Sequence, residues 1–255
     1  MTYRNTARYL LSVLMVLAGA ASPTIGAIEQ PVIQSAESHQ TAFFWRRRSA
    51  PDRLEGVWRI TEARTPRGQS YTGSLDITAI GNTDNLYQVS WETSQGNYSG
   101  LGFYEEGRLL VGAGLDEGIY GVALYRIQND GSLDGKWTLS TAQGEVGTEF
   151  ATGGRSGQLA GSYQIRSTDP GAADSSFTGE LTITESRDIY QVTWNVDDQT
   201  YRGIGLRVDD WLVVGWGTSP NLAVLDYEFR GNEGTARWAR TGSRELGMER
   251  ISLDN

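Results

Sequence analysis

The chain has no cysteine, one histidine and one lysine, and each shortage removes a class of chemistry. Without cysteine there are no disulfides, no lipid-bearing thiol and no thiolate metal site. His39 stands outside the repeated part of the sequence described below, so Ser-His-Asp and Cys-His triads are excluded from it, as are zinc sites of the usual ligand types. Positive charge is scarce too: 22 basic residues face 31 acidic ones, and Lys136 is the only lysine. Nucleic acid is therefore not an expected partner, because counterion release needs a cationic face. No segment after the first thirty residues has the roughly 20 apolar residues of a membrane helix. No long segment shows helical periodicity, which excludes parallel βαβ folds.

What the sequence does have is a duplication. Tyr87-Gln-Val-Ser-Trp91 and Tyr98-Ser-Gly-Leu-Gly-Phe103 return as Tyr190-Gln-Val-Thr-Trp194 and Tyr201-Arg-Gly-Ile-Gly-Leu206, offset by 103 in both cases (190 − 87 and 201 − 98). Further matches are Gly56-Val-Trp58 with Gly161-Ser-Tyr163, Tyr71 to Ile77 with Phe177 to Ile183, Lys136-Trp137 with Arg237-Trp238, and Gly147-Thr-Glu149 with Gly247-Met-Glu249. The offset drifts only between strands, so loops absorb the length changes.

The expected organisation is a secretory signal over 1–27, a connector over 28–52, a first repeat over 53–154 and a second over 155–255. Arg4 and Arg8 precede the apolar run Tyr9 to Ala21, with Ala20 or Ala27 as cleavage points, which predicts an exported protein, periplasmic or extracellular. No membrane span is expected after cleavage. The connector ends in the aromatic and basic cluster Phe43 to Arg48, read as a loosely packed tail or a docking segment.

Within each repeat, eight short runs alternate apolar and polar residues, as Tyr87, Val89 and Trp91 do against Gln88, Ser90 and Glu92. That is the period of a half-buried strand. Turn residues separate the runs. The predicted fold is all-β: two tandem eight-stranded antiparallel up-and-down (meander) β-barrels, with a β-sandwich as the alternative. Closure removes the unpaired edges that a lone sheet would expose.

The Gly-x-Trp of the first strand followed by an eight-stranded meander resembles the calycin group, the lipocalins and avidins, and the short hairpins are closer to avidin. The resemblance implies a closed barrel with room for a small ligand. The second copy departs from it with Tyr163 in place of Trp, and no run matches avidin's ligand contacts.

Alternation turns Trp58, Tyr87, Trp91, Tyr125 and Trp137 inward in the first unit, and Tyr163, Tyr190, Trp194, Tyr227 and Trp238 in the second. An eight-stranded barrel either fills with side chains or holds one small ligand. Both remain open on sequence. The first reading is a non-enzymatic carrier of a small hydrophobic or aromatic molecule contacted by these ten residues. The alternative is a filled scaffold that binds a protein or glycan on its surface, with Trp211 and Trp216 as exposed platforms. Glu149 and Glu249 recur on the last strand and are expected to pair with Lys136, Arg237 or an arginine at the barrel mouth. One carboxylate per domain is not a catalytic pair. The acidic doublets Asp116-Glu117, Asp197-Asp198 and Asp209-Asp210 lack calcium-loop spacing and sit in turns, so no metal or cofactor is expected. The repeated glycines Gly100, Gly102, Gly112 and Gly114, answered by Gly203, Gly205, Gly215 and Gly217, are read chiefly as bending points, the other reading being close approach of a ligand or aromatic ring.

Overall fold

A computed structural model describes residues 54–81 and 85–254. The expected signal, the connector with its Phe43 to Arg48 cluster, and His39 lie outside the described residues.

Among the described residues there are sixteen antiparallel strands, eight in each repeat. The first repeat contributes β1 (Gly56–Arg64), β2 (Gly73–Ala79), β3 (Leu86–Thr93), β4 (Gly96–Glu105), β5 (Arg108–Gly114), β6 (Tyr120–Ile127), β7 (Leu133–Leu139) and β8 (Gly147–Thr152). The second contributes β9 (Gly161–Asp169), β10 (Ala172–Ser186), β11 (Ile189–Val196), β12 (Gln199–Val208), β13 (Trp211–Gly217), β14 (Leu222–Arg230), β15 (Glu233–Arg240) and β16 (Gly247–Leu253). The burial of β8 alternates residue by residue, as the period-2 pattern requires.

The strands form two closed eight-stranded barrels, so the sandwich alternative falls. The barrels do not coincide with the repeats, which corrects the expectation that 53–154 and 155–255 each close on themselves. The first barrel runs β1-β16-β15-β14-β5-β4-β3-β2, and the second β10-β11-β12-β13-β6-β7-β8-β9. Each takes five strands from one repeat and three from the other. At the point of exchange β5 pairs with β14, Val111 opposite Leu225, and β13 pairs with β6, Val214 opposite Ala123. The links 115–119 and 218–221, which a meander would use as hairpins, instead carry the chain from one barrel to the other.

The reason lies in strands that are apolar on both faces. In β5, Leu109 and Val111 belong to the interior of the first barrel, whereas Leu110 faces a separate cluster with Phe103, Val122, Leu124, Ile204 and Val213. That third cluster is the seam between the barrels. A strand buried on both faces cannot lie on the outside of an isolated barrel, so the two barrels are fused over a shared core.

Of the repeated glycines, Gly112 and Gly215 serve close approach to backbone of the other barrel, whereas Gly100, Gly102, Gly203 and Gly205 are crowded by neighbours in their own barrel. A methyl on Gly112 would lie 2.3 Å from the carbonyl oxygen of Gly121 and 2.9 Å from Cα of Gly215. One on Gly215 would lie 2.1 Å from the carbonyl oxygen of Ala223. Gly112→Ala or Gly215→Ala is therefore expected to cost at least about 1–3 kcal/mol of stability in urea unfolding. Gly161→Ala, whose methyl would meet only a ring carbon of Tyr163 at 3.9 Å, should stay near the parent.

Candidate functional site

All ten aromatic residues expected inside do pack in the barrel interiors: eight are buried, while Tyr87 and Trp137 are half-buried against the cores. The ends opposite the seam glycines' outer links are closed alike. The Trp58 indole donates to the carbonyl of Leu54 at 3.0 Å, and the Tyr163 hydroxyl donates to the carbonyl of Leu159 at 2.7 Å. Different side chains thus reach the residue four positions earlier, which explains how Tyr163 replaces the Trp of the Gly-x-Trp motif.

Each interior holds one buried glutamate. In the second barrel, Tyr125 of β6 donates to Glu149 of β8 at 2.6 Å, and the Trp194 indole of β11 donates to Glu149 and to the Tyr125 oxygen, both at 3.1 Å. In the first, the hydroxyls of Tyr227 and Tyr71 both donate to Glu249, and the Trp91 indole donates to the Tyr227 oxygen at 3.2 Å. Both centres are assembled across the exchange, because the tryptophan comes from one repeat and the Tyr-Glu pair from the other.

The expected pairing of these glutamates with Lys136 or Arg237 is not what the structure has. Lys136 bridges to Glu105, and Arg237 to Asp226 at 3.0 Å. The cause is alternation: Lys136 lies opposite Thr148 and Arg237 opposite Met248, so both point to the outer face. With no cation beside them, burial pushes both carboxyls above the usual carboxylate range, and the hydrogen bonds they accept only partly offset it. Burial, then the neighbouring glutamate, keeps the Tyr125 and Tyr227 phenols protonated and able to donate.

The other ends of the barrels differ. In the second barrel Trp216 lies across the mouth, 5.5 Å from Trp137, 6.4 Å from Trp194 and 6.2 Å from Tyr201 between ring centres, and Phe177 stands 6.5 Å from Trp137. Gly121, opposite Trp216 in the ladder, makes room for the indole: a methyl there would lie 2.7 Å from its nitrogen. The first barrel has Ala113 opposite Ala223 at this level, and Tyr71 enters instead, edge-on to Trp238 at 6.3 Å, to reach Glu249. Trp238, Ala113 and Tyr71 are buried, whereas Trp137, Trp216 and Phe177 keep part of their surface in solvent. Trp137 also donates to the Ser167 hydroxyl at 3.1 Å. Ala63 takes the place of that serine in the first barrel, opposite Glu249, so the Trp238 indole has no such hydroxyl to donate to.

Trp211 and Trp216 are not the exposed platforms expected of them. Both indole nitrogens are buried. Trp211 packs on the seam with the Arg126 guanidinium 4.9 Å above its ring, and Trp216 is turned into the mouth. Sequence reasoning overlooked Tyr71, which shares its face with Leu75 and Ile77 and was legible by alternation, and Tyr201, the counterpart of Tyr98.

A third feature is a cleft of about 300 Å³ on one flank of the seam. Glu185, Arg187, Asp188, Tyr190, Arg207 and Asp209 line it from the second barrel, and Arg237 from the first. Among the described residues no three His, Cys, Asp or Glu side chains converge as a metal site. No family model matches the chain, and the searches of curated proteins and of solved structures find no match either.

Proposed function

We propose that this is an exported, non-enzymatic binding protein, calycin-like in its eight-stranded barrels, that keeps its interiors filled and presents the aromatic mouth of the second barrel to a glycan. One observation carries the reading: Trp137, Trp216 and Phe177 keep part of their surface in solvent at that mouth, while Ala113 and Tyr71 at the equivalent level of the first barrel are buried. Sugar rings present C–H faces to aromatic rings and hydroxyls to carboxylates. The exposed carboxylate offered here is Asp197, which lies close enough to Tyr201 to raise its phenol pKa, after burial itself; Asp169 is also near but is buried and accepts the Ser175 hydroxyl. The filled interiors favour this reading over carriage inside a barrel. Trp58, Tyr125, Tyr163 and Tyr227 are fully buried in the barrel cores, and both glutamates are met by the chain's own donors.

The test is a titration of intact protein with soluble cello-, xylo- and chito-oligosaccharides, read by tryptophan fluorescence and calorimetry. At least one series should bind, and Trp216→Ala should weaken it by about tenfold or more, roughly 1.4 kcal/mol. Tyr201→Ala, at the rim, should weaken it with the fold intact. Absence of saturable binding by all three series would refute the glycan reading. A small molecule carried through purification, seen as extra mass under native conditions, would move the site back inside a barrel.

A further inference from the structure

The repeats make the two flanks of the seam equivalent, yet they are finished differently. On one flank Lys136, from the second barrel, crosses to the carboxylate of Glu105 on β4 of the first, and its ammonium sits 4.5 Å above the Phe103 ring. Lys136 answers Arg237, and Glu105 answers Val208 at the offset of 103. On the other flank Arg237 of the first barrel forms no ion pair with a carboxylate of the second among the described residues. It holds Asp226 of its own barrel at 3.0 Å and spends one terminal nitrogen on the carbonyl of Arg207 at 2.6 Å. The cleft opens at this point.

We propose that this flank is a binding site for a free amino acid, whose carboxylate takes the place that Glu105 holds on the closed flank. Arg207 and Arg237 are the donors for it. Arg207 uses only Nε, on the carbonyl of Asp209 at 3.1 Å, and its two terminal NH2 groups, four N–H donors in one plane, are left for bidentate capture. The ammonium group goes to the acidic side of the same cleft, where Asp188 and Asp209 accept no hydrogen bond among the described residues and Glu185 accepts only the Tyr190 hydroxyl at 3.0 Å. Charges of both signs within about 300 Å³ suit a small zwitterion better than a simple anion. Two lining residues sit at hairpin tips in left-handed backbone, Arg187 with φ 58° and Asp209 with φ 53°. The turn that answers Asp209-Asp210 is Glu106-Gly107, where glycine takes the second position. Asp209 thus keeps the left-handed tip conformation that Glu106, with φ 51°, has in the first repeat, and Asp210 adds a second carboxylate where the first repeat has Gly107.

The site is separate from the aromatic mouth, and its test is independent of the glycan reading. Intact protein is titrated calorimetrically with each of the twenty common amino acids and with their carboxamides. At least one amino acid should bind with a Kd below about 1 mM, and its amide about tenfold more weakly. Arg207→Ala, at an exposed position, should weaken it by about tenfold with an unchanged circular dichroism spectrum, and leave oligosaccharide binding at the barrel mouth as it was. The proposal is overturned if no amino acid gives a saturable signal up to about 10 mM, if amides bind as well as acids, or if Arg207→Ala leaves the affinity unchanged.

Discussion

Cut between Ser156 and Gly157, in the link that joins the two repeats, the protein is expected to give halves that cannot make a barrel alone and that rebuild both barrels when mixed. Each half holds five strands of one barrel and three of the other. Alone, it leaves β5 or β13 without the partner strand on one side, and it exposes the seam face of Leu110 or Val213 to water. Open edges and an apolar face of that kind drive association. Each isolated half should therefore be unfolded or self-associated at micromolar concentration, with weak near-ultraviolet tryptophan dichroism. The mixture should form a one-to-one complex with the dichroism of the intact chain, because the Tyr-Trp-Glu centres reform only across the exchange. Its apparent stability should rise with concentration, as it must when folding and association are one process. Two folded monomeric halves in dilute solution would mean that each repeat can close on its own and that the exchange is not required for folding.

The same exchange marks how far the sequence could be read. Alternation in stretches such as Tyr87 to Glu92 located every strand and turned all ten aromatic residues inward, because side-chain direction in a strand is a local property. Which strand closes the barrel is not local. β6 and β14 are copies of one another, so β5 finds the same kind of pairing edge on either, and register rules do not distinguish a strand from its repeat. The clue was the unbroken apolar run in β5 and β13, which predicts burial on both faces, and the paired Gly112 and Gly215 at the closest approach of the barrels. At the candidate mouth, the contrast of Ala113 with Trp216 was legible, and so in principle was its compensation, Gly121 against Ala223. The depth of each side chain was not, since it depends on what the facing strands of the other repeat supply. The cleft depends on the absence of a carboxylate at Val208, and that absence has meaning only once the two flanks are superposed through the fold.

The buried glutamates give the second large effect, and its sign follows from their environment. Burial raises the Glu249 carboxyl pKa in the folded protein above its value in the unfolded chain. The folded state therefore holds the proton to higher pH. The contribution of this group to stability is fully present below the unfolded pKa and is lost as pH rises through the folded one. Each pH unit between the two values is worth about 1.4 kcal/mol. Glu249→Gln keeps the shape, keeps an acceptor for the tyrosine hydroxyls and cannot ionise. The variant should be less stable than the parent, or equal to it, at about pH 4, and should gain on it steadily toward neutrality. Denaturant unfolding of the two proteins across this range measures the difference directly, and other titrating groups cancel between them. A difference independent of pH would mean that the donors from Tyr71, Tyr227 and Trp91 balance desolvation, and a variant that loses ground to the parent toward neutral pH would mean that they outweigh it. Glu249→Ala removes the acceptor altogether and strands two buried hydroxyls beside a cavity, for a loss of about 3–5 kcal/mol at low pH that narrows toward neutrality with the slope of the glutamine variant, because alanine cannot ionise either. The contrast between the glutamine and alanine variants separates the charge from the hydrogen bonds, and Glu149, held by one tyrosine and one tryptophan, should show the same order with a smaller loss.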